Sequence, residues 1–141
     1  MTSASSLQRA GIAIAGLAGV AALAAGVWLL RTFDPNAVGN PFPACLFRTL
    51  TGFYCAGCGA TRALHALVHG DVGKAFSMNP LLVSVLPLLP VLAAWSLGWR
   101  PAWLHPFVQR VSSPVLWLLL LSGFWVLRNL PWIPFTWLAP G

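Results

Sequence analysis

The sequence predicts an all-α membrane protein with three transmembrane helices and one or two short interfacial helices in a cysteine-containing loop. Of its 141 residues, 58% are hydrophobic and 7% are charged, whereas a water-soluble domain carries about 25% charged residues. Three apolar runs, at 10–30, 79–98 and 114–130, have lengths near those that cross a bilayer. All three cysteines lie between the first two runs.

The first run, residues 10–30, follows a short polar N-terminus at 1–9. At about 1.5 Å per residue, its length matches the roughly 30 Å hydrocarbon core of a bilayer. The alternative is a cleaved signal peptide with Ala22-Leu23-Ala24 as its small-residue site. Because the apolar residues continue to Leu30, beyond that site, we predict a retained transmembrane helix.

Residues 31–78 are predicted to form the cysteine loop with its interfacial helices. Apolar residues at helical spacing predict one helix that begins near Thr61 and ends at Gly70. Asp71 is then the predicted N-cap of a second short helix. Both helices are too short to span a bilayer and suit its interface. Asn79, at the mouth of the second run, is expected to hold the loop by hydrogen bonds.

The second run, 79–98, is predicted to be a transmembrane helix kinked at Pro87 and Pro90. A loop at 99–113 separates it from the third transmembrane helix at 114–130, which includes Arg128 if that side chain snorkels toward the interface. Residues 131–141 are an aromatic, proline-broken tail.

The basic residues indicate an orientation for these three spans. Arg9, Arg100 and Arg110 would share one side of the membrane. The other side would hold more basic residues, namely Arg31, Arg48, Arg62, Lys74 and Arg128. Because cytoplasmic loops carry the excess of Lys and Arg, this distribution favours a cytoplasmic cysteine loop.

The cysteine spacing suggests a zinc knuckle as the first possible chemistry. Cys45, Cys55 and Cys58, with His65 as fourth ligand, would supply a tetrahedral site. His69, one helical turn later, is an alternative fourth ligand. A second possibility is thiol redox at Cys55 and Cys58, whose pKa a helix N-terminus would lower. No thioredoxin-like βαβ pattern accompanies the pair. In an oxidising compartment a structural disulfide is favoured instead.

A third possibility is an anion or lipid-headgroup site. Thr61 lies at a helix start, and Arg62 would present a fork to phosphate, joined by Arg48 and Lys74. Nucleic-acid binding is excluded because the basic residues are scattered. With two acidic residues in the chain, acid–base catalysis by paired carboxylates is poorly supported, and no catalytic residue is predicted.

Four short motifs occur in order between Pro43 and Leu82. They are Cys45-x-Phe47-Arg48-x-Leu50-Thr51-Gly52, Cys55-x-Gly57-Cys58-Gly59-x-Thr61-Arg62-Ala63, Gly70-Asp71-x3-Ala75 and Asn79-Pro80-Leu81. This set resembles the bacterial domain-of-unknown-function family 2752, although many members have proline where this chain has Leu46 and Ala56. The resemblance implies a small, multi-pass protein of the bacterial cytoplasmic (inner) membrane. It implies no activity, substrate or cofactor.

The leading functional hypothesis is a non-enzymatic membrane protein, either an accessory subunit or a lipid- or anion-binding protein, with a structured cysteine knuckle. Its expected partners are the lipid bilayer and a membrane protein or a second copy of the chain. One alternative is a membrane thiol-redox protein using Cys55 and Cys58. Another is a transporter component, since a kinked span and a Gly-rich first helix suit cavities and oligomers.

Overall fold

The computed structural model describes the backbone of residues 3–140 and the side chains of residues 8–140. Helix α1 extends over Ser3–Thr32 without a break, including the small residues of the possible signal-peptidase site. Its Gln8–Thr32 portion is long and apolar enough to cross a membrane, and none of the residues in its apolar window is fully buried in the described protein. The predicted first span therefore corresponds to one candidate membrane helix.

Four short helices follow in the cysteine loop and at its exit. They are α2 (Leu46–Thr51), α3 (Ala60–Val68), α4 (Val72–Met78) and α5 (Pro80–Val85). Small side chains let α3, α4 and α5 approach closely, and their buried core consists of Ala63, Ala66, Ala75 and Val83. Asp71 caps α4, since its carboxylate accepts a hydrogen bond from the backbone N–H of Lys74 at 2.9 Å.

The end of α1 contacts α3. The ring nitrogen Nδ1 of His65 lies 2.6 Å from the Leu30 carbonyl oxygen, and the guanidinium of Arg31 donates to the Val68 carbonyl at 3.4 Å. His65 Nε2 also lies 3.8 Å from a carboxylate oxygen of Asp34. The candidate span is thereby joined to the core that supports the cysteine loop.

The second apolar run is divided in two. Helix α5 ends at Val85, and α6 begins at Leu88 and ends at Ser96, so the predicted kink at Pro87 is a break between two helices. Together, Pro80–Ser96 form an apolar stretch shorter than the candidate-span length. A proline ring removes a helical hydrogen bond and clashes with the preceding turn, which explains the break at this position.

The third run is shorter than predicted. Helix α8 covers Pro114–Leu127, 14 residues, or about 21 Å. The segment 99–113, predicted as a loop, contains a 3₁₀-helix at Ala102–Leu104 and helix α7 at His105–Val111. Residues Ala102–Val111 and α8 meet at an angle of 54°. Among the described residues, helix length alone therefore does not support three transmembrane helices.

Residues 80–127 leave the cysteine loop and return to it. At one end, Asn79 donates to the Ala56 carbonyl at 3.1 Å. At the other, Arg128 donates to the Cys55 carbonyl at 2.8 Å. A second 3₁₀-helix, Phe135–Leu138, then contacts α4. Both ends of this apolar segment and the aromatic tail thus lie beside the cysteine loop.

Candidate functional site

The three cysteines form a compact sulfur cluster. The Sγ of Cys45 lies 3.3 Å from that of Cys55 and 3.3 Å from that of Cys58, and the Cys55 and Cys58 sulfurs are 3.1 Å apart. Cys45 precedes α2, whereas Cys55 and Cys58 belong to a tight turn closed by a bond from Cys58 N–H to the Cys55 carbonyl at 3.1 Å. Two separate segments therefore supply the sulfurs, which lie close enough together to bind a single metal ion.

Gly59 lets the turn enter α3. Its φ of +81° lies in the left-handed region, which glycine adopts without steric cost. A Cβ at this position would also collide with the carbonyl oxygen of Met78 and approach Pro140. The turn is therefore pressed against the end of α4, and a residue with a side chain does not fit there.

Asn79 and Arg128 hold the carbonyl oxygens of this turn. The amide of Asn79 donates to the Ala56 and Cys58 carbonyls at 3.1 and 3.2 Å, and its oxygen accepts from Leu82 N–H, which caps α5. The Arg128 guanidinium donates to the Cys55, Ala56 and Cys58 carbonyls at 2.8, 3.1 and 3.1 Å. Asn79 thus donates hydrogen bonds to the loop, as expected from the sequence, and Arg128, from the far end of the chain, donates to the same turn.

Asn129 adds a paired contact beside Arg128. Its side-chain oxygen accepts from Tyr54 N–H at 2.8 Å, and its amide donates to the Tyr54 carbonyl at 2.9 Å. A side-chain amide that pairs with both backbone groups of one residue fixes that residue as a strand neighbour would. The entry to the cysteine turn is therefore immobilised as well as the turn itself.

The sequence allows Arg128 to snorkel, whereas the structure buries its side chain against the cysteine turn. Its side chain is 1% exposed, and its guanidinium carbon lies 4.8 Å from the centre of the Phe124 ring. Buried cations need partners, and the turn's carbonyls supply them. The signal that could have indicated this role is the Arg128-Asn129 pair at the end of an apolar run, where two polar residues are costly without partners.

The environments of the three thiols differ. Burial raises the pKa of Cys58 to about 12, and contacts with Cys55 and Cys45 add to this effect. The pKa of Cys45 is lowered, chiefly by the backbone N–H of Arg48 and then by its sulfur neighbours. The pKa values of Cys45 and Cys58 are therefore shifted in opposite directions, and burial opposes ionisation of Cys58. A bound metal would supply the positive charge that three thiolates need.

His65 does not lie in the sulfur cluster, so its prediction as fourth ligand is corrected. His65 lies five positions after Ala60, the first residue of α3, which is about 7.5 Å along the helix axis. Its ring faces Leu30 and Asp34, as described above, and the ring of His69 lies against it at 4.3 Å. The group of potential ligands found among the described residues consists of the three cysteines.

A cavity of about 1010 Å³ opens beside the cluster. Cys45 and Cys58 line it, as do three of the four predicted anion-site residues, Arg48, Thr61 and Arg62. The fourth, Lys74, lies on α4 and is not among the lining residues. The guanidinium of Arg48 stacks on the Tyr54 ring with its carbon 3.8 Å from the ring centre.

A known protein family matches the region of the chain that contains this site. Residues 45–94 match the family described as "Protein of unknown function (DUF2752)". The match begins at the first cysteine and includes the whole turn, α3, α4 and α5. It confirms the resemblance inferred from the four short motifs. No curated protein and no solved structure matches the chain.

Proposed function

We propose that this chain, whose residues 45–94 match the DUF2752 family of proteins of unknown function, is a metal-stabilised, non-enzymatic membrane protein. Cys45, Cys55 and Cys58 bind one thiophilic ion, Zn²⁺ by preference, since thiolate ligands select soft and borderline metals. The ion ties α2 to the turn before α3. The loop so formed is the part of the protein that engages a membrane partner or a second copy.

The near-equal spacing of the three sulfurs carries this proposal. The three distances range from 3.1 to 3.3 Å. A disulfide would bring two sulfurs to about 2.05 Å and leave the third apart. Sulfurs around a tetrahedral Zn²⁺, each about 2.3 Å from the ion, lie about 3.8 Å from one another. A small outward movement of all three therefore produces a metal site, whereas a disulfide breaks the symmetry of the cluster.

A thiol-redox role is the alternative. The short distance between the Cys55 and Cys58 sulfurs favours it, but the buried Cys58 thiol, whose pKa burial raises to about 12, opposes it. Reactive cysteines are partly exposed and have lowered pKa values. The transporter alternative draws on the break at Pro87, which leaves a discontinuous helix of the kind found in transporter sites.

The membrane placement is part of the same proposal. Helix α1 crosses the bilayer of a bacterial cytoplasmic membrane, and lipid covers its exposed apolar side chains. Residues 80–127 cross and return as two broken helical arms, so the protein is multi-pass with the cysteine loop on the cytoplasmic side. The return of this segment to the loop through Arg128 supports the arrangement. A short apolar arm spans by local thinning of the bilayer.

Metal analysis of the purified protein tests the proposal. We expect one Zn²⁺ per chain, and its loss when any one of the cysteines is replaced, as in Cys55→Ser. His65→Gln is the matched control and should retain the ion, because His65 lies outside the cluster. A chain that contains no metal and a Cys55–Cys58 disulfide by mass spectrometry would instead support the redox alternative.

A further inference from the structure

The sulfur cluster supplies three ligands where a tetrahedral ion needs four. Among the described residues, no other His, Cys, Asp or Glu joins the three cysteines. Structural zinc sites are closed by four protein ligands, whereas sites with three protein ligands keep a position for an exchangeable one. If the metal binds as proposed above, its fourth position is therefore open to a ligand other than a His, Cys, Asp or Glu side chain of the described residues.

The cavity indicates where that ligand would enter. Cys45 and Cys58 belong both to the cluster and to the cavity lining. The carbonyl side of the turn is closed, because Asn79 and Arg128 occupy it with their hydrogen bonds. A volume of about 1010 Å³ is at the upper end of the range for small-molecule sites, roughly 300–1,000 Å³. The space suits a ligand larger than a water molecule.

The charge of the lining selects the ligand. Arg48 and Arg62 contribute two positive charges, and no acidic side chain lies among the described lining residues. A Zn²⁺ ion with three thiolates carries a net charge of −1. The two guanidinium groups carry +2, so the lining and the ion together remain positive and favour an anion. The guanidinium of Arg48 packs on Tyr54 and donates to no protein acceptor in the described part of the chain. Its planar fork matches the oxygens of a phosphate group.

We propose that this cavity is a binding site for a phosphate group, which Arg48 holds and which occupies the open position of the metal bound by Cys45, Cys55 and Cys58. Arg62 adds its charge to the lining. The proposal rests on the metal site described under the proposed function. The phosphate belongs either to a free molecule or to a lipid headgroup, since both present the same oxygens.

Cobalt substitution tests the proposal, because Co²⁺ takes tetrahedral thiolate sites and its visible spectrum reports changes in its ligands. The full chain in detergent and a non-coordinating buffer is loaded with Co²⁺, and inorganic phosphate is added. We expect a saturable shift of the cobalt bands. Arg48→Gln should weaken the phosphate affinity at least about tenfold, since hydrogen bonds between charged groups are among the stronger ones. Arg110→Gln, a change outside the cavity lining, should leave it unchanged.

A second arm distinguishes the sources of phosphate. The cobalt-loaded protein is placed in phosphatidylcholine nanodiscs with or without phosphatidic acid. A shift produced by phosphatidic acid without added phosphate identifies a lipid headgroup, and a shift that needs inorganic phosphate identifies a free molecule. Cobalt bound with no response to either probe overturns this inference alone. A response that Arg48→Gln leaves intact overturns the role of Arg48. Failure to bind cobalt or zinc overturns the proposed function as well.

Discussion

Gly59 is the residue at which the backbone of the cysteine turn has least freedom. Gly59→Ala places a Cβ at φ +81° and against the Met78 carbonyl, so we expect a loss of about 3 kcal/mol in unfolding free energy. Gly52→Ala is the control, because Gly52 has a similar φ of +77° but open space around it; it should lose about 1 kcal/mol. Denaturant unfolding in detergent measures both. Equal losses would mean that the Met78 contact is unimportant.

Arg128 is expected to determine the stability of the loop from the other end of the chain. Arg128→Met keeps apolar volume but removes the hydrogen bonds from the guanidinium to the Cys55, Ala56 and Cys58 carbonyls. We expect a loss of about 3 kcal/mol and a weaker affinity for Zn²⁺. The exposed Arg110 supplies the control, Arg110→Met, with a change within about 0.5 kcal/mol. A wild-type stability for Arg128→Met would contradict the role of Arg128 as a positioning residue.

At the residue scale, the candidate metal ligands were easier to predict from the sequence than the residues that position them. Cysteine is a metal-ligating and redox-active residue type, so a Cys-x-x-Cys motif with an upstream cysteine was recognisable as a candidate site. Arg128 lies 70 residues or more from the carbonyls it binds, and a hydrogen bond to a backbone carbonyl leaves no mark on the sequence of the acceptor. His65 was misassigned because its spacing fits a ligand, while the helix turns its ring toward Leu30.

Among the elements, α4 connects the core to the turn, since Ala75 belongs to the core and Asn79, which caps the C-terminus of α4, donates to the turn's carbonyls. Asp71→Ala removes the side-chain acceptor for Lys74 N–H and should lower the unfolding free energy by about 1 kcal/mol. Asp71→Asn keeps an acceptor and should change it by a few tenths of that amount. Circular dichroism during thermal unfolding measures both variants. If Asp71→Asn lost as much as Asp71→Ala, the charge rather than the cap would be responsible.

Element boundaries were predictable where helix-capping or helix-terminating residues are present. Asp71 and Gly70 define the start of α4 and the end of the preceding helix, and the prediction differs from the structure there by one or two residues. Helices α2 and α7 were not recognised as helices because each is six or seven residues long, too short for a periodic apolar pattern to stand out. The formation of such short helices depends on tertiary packing, which local sequence does not encode; α7, for example, packs against the 3₁₀-helix Ala102–Leu104 and α8.

At the scale of the whole molecule, the path of residues 80–127 decides the membrane arrangement. The apolar stretch Pro80–Ser96 covers 17 residues, about 25 Å of helix, and the hydrocarbon core is about 30 Å thick. Sequence alone counted apolar residues and overestimated these spans, because the proline break and the 54° bend before α8 shorten each straight segment. Both ends of the segment nevertheless lie at the cysteine loop.

The lysine content of the chain permits a direct test of this path. Lys74 is its single lysine, on α4 beside the cysteine loop. In sealed vesicles of known orientation, a membrane-impermeant amine reagent should label Lys74 and an introduced Arg100→Lys from opposite sides, because a segment that crosses and returns places Arg100 at its far end. Thr136→Lys is the matched control. Its 3₁₀-helix contacts α4, so it should be labelled from the same side as Lys74. Mass spectrometry locates each labelled peptide. Labelling of Lys74 and of the lysine of Arg100→Lys from one side would show that residues 80–100 do not cross the membrane, and α1 would then be the sole crossing helix among the described residues.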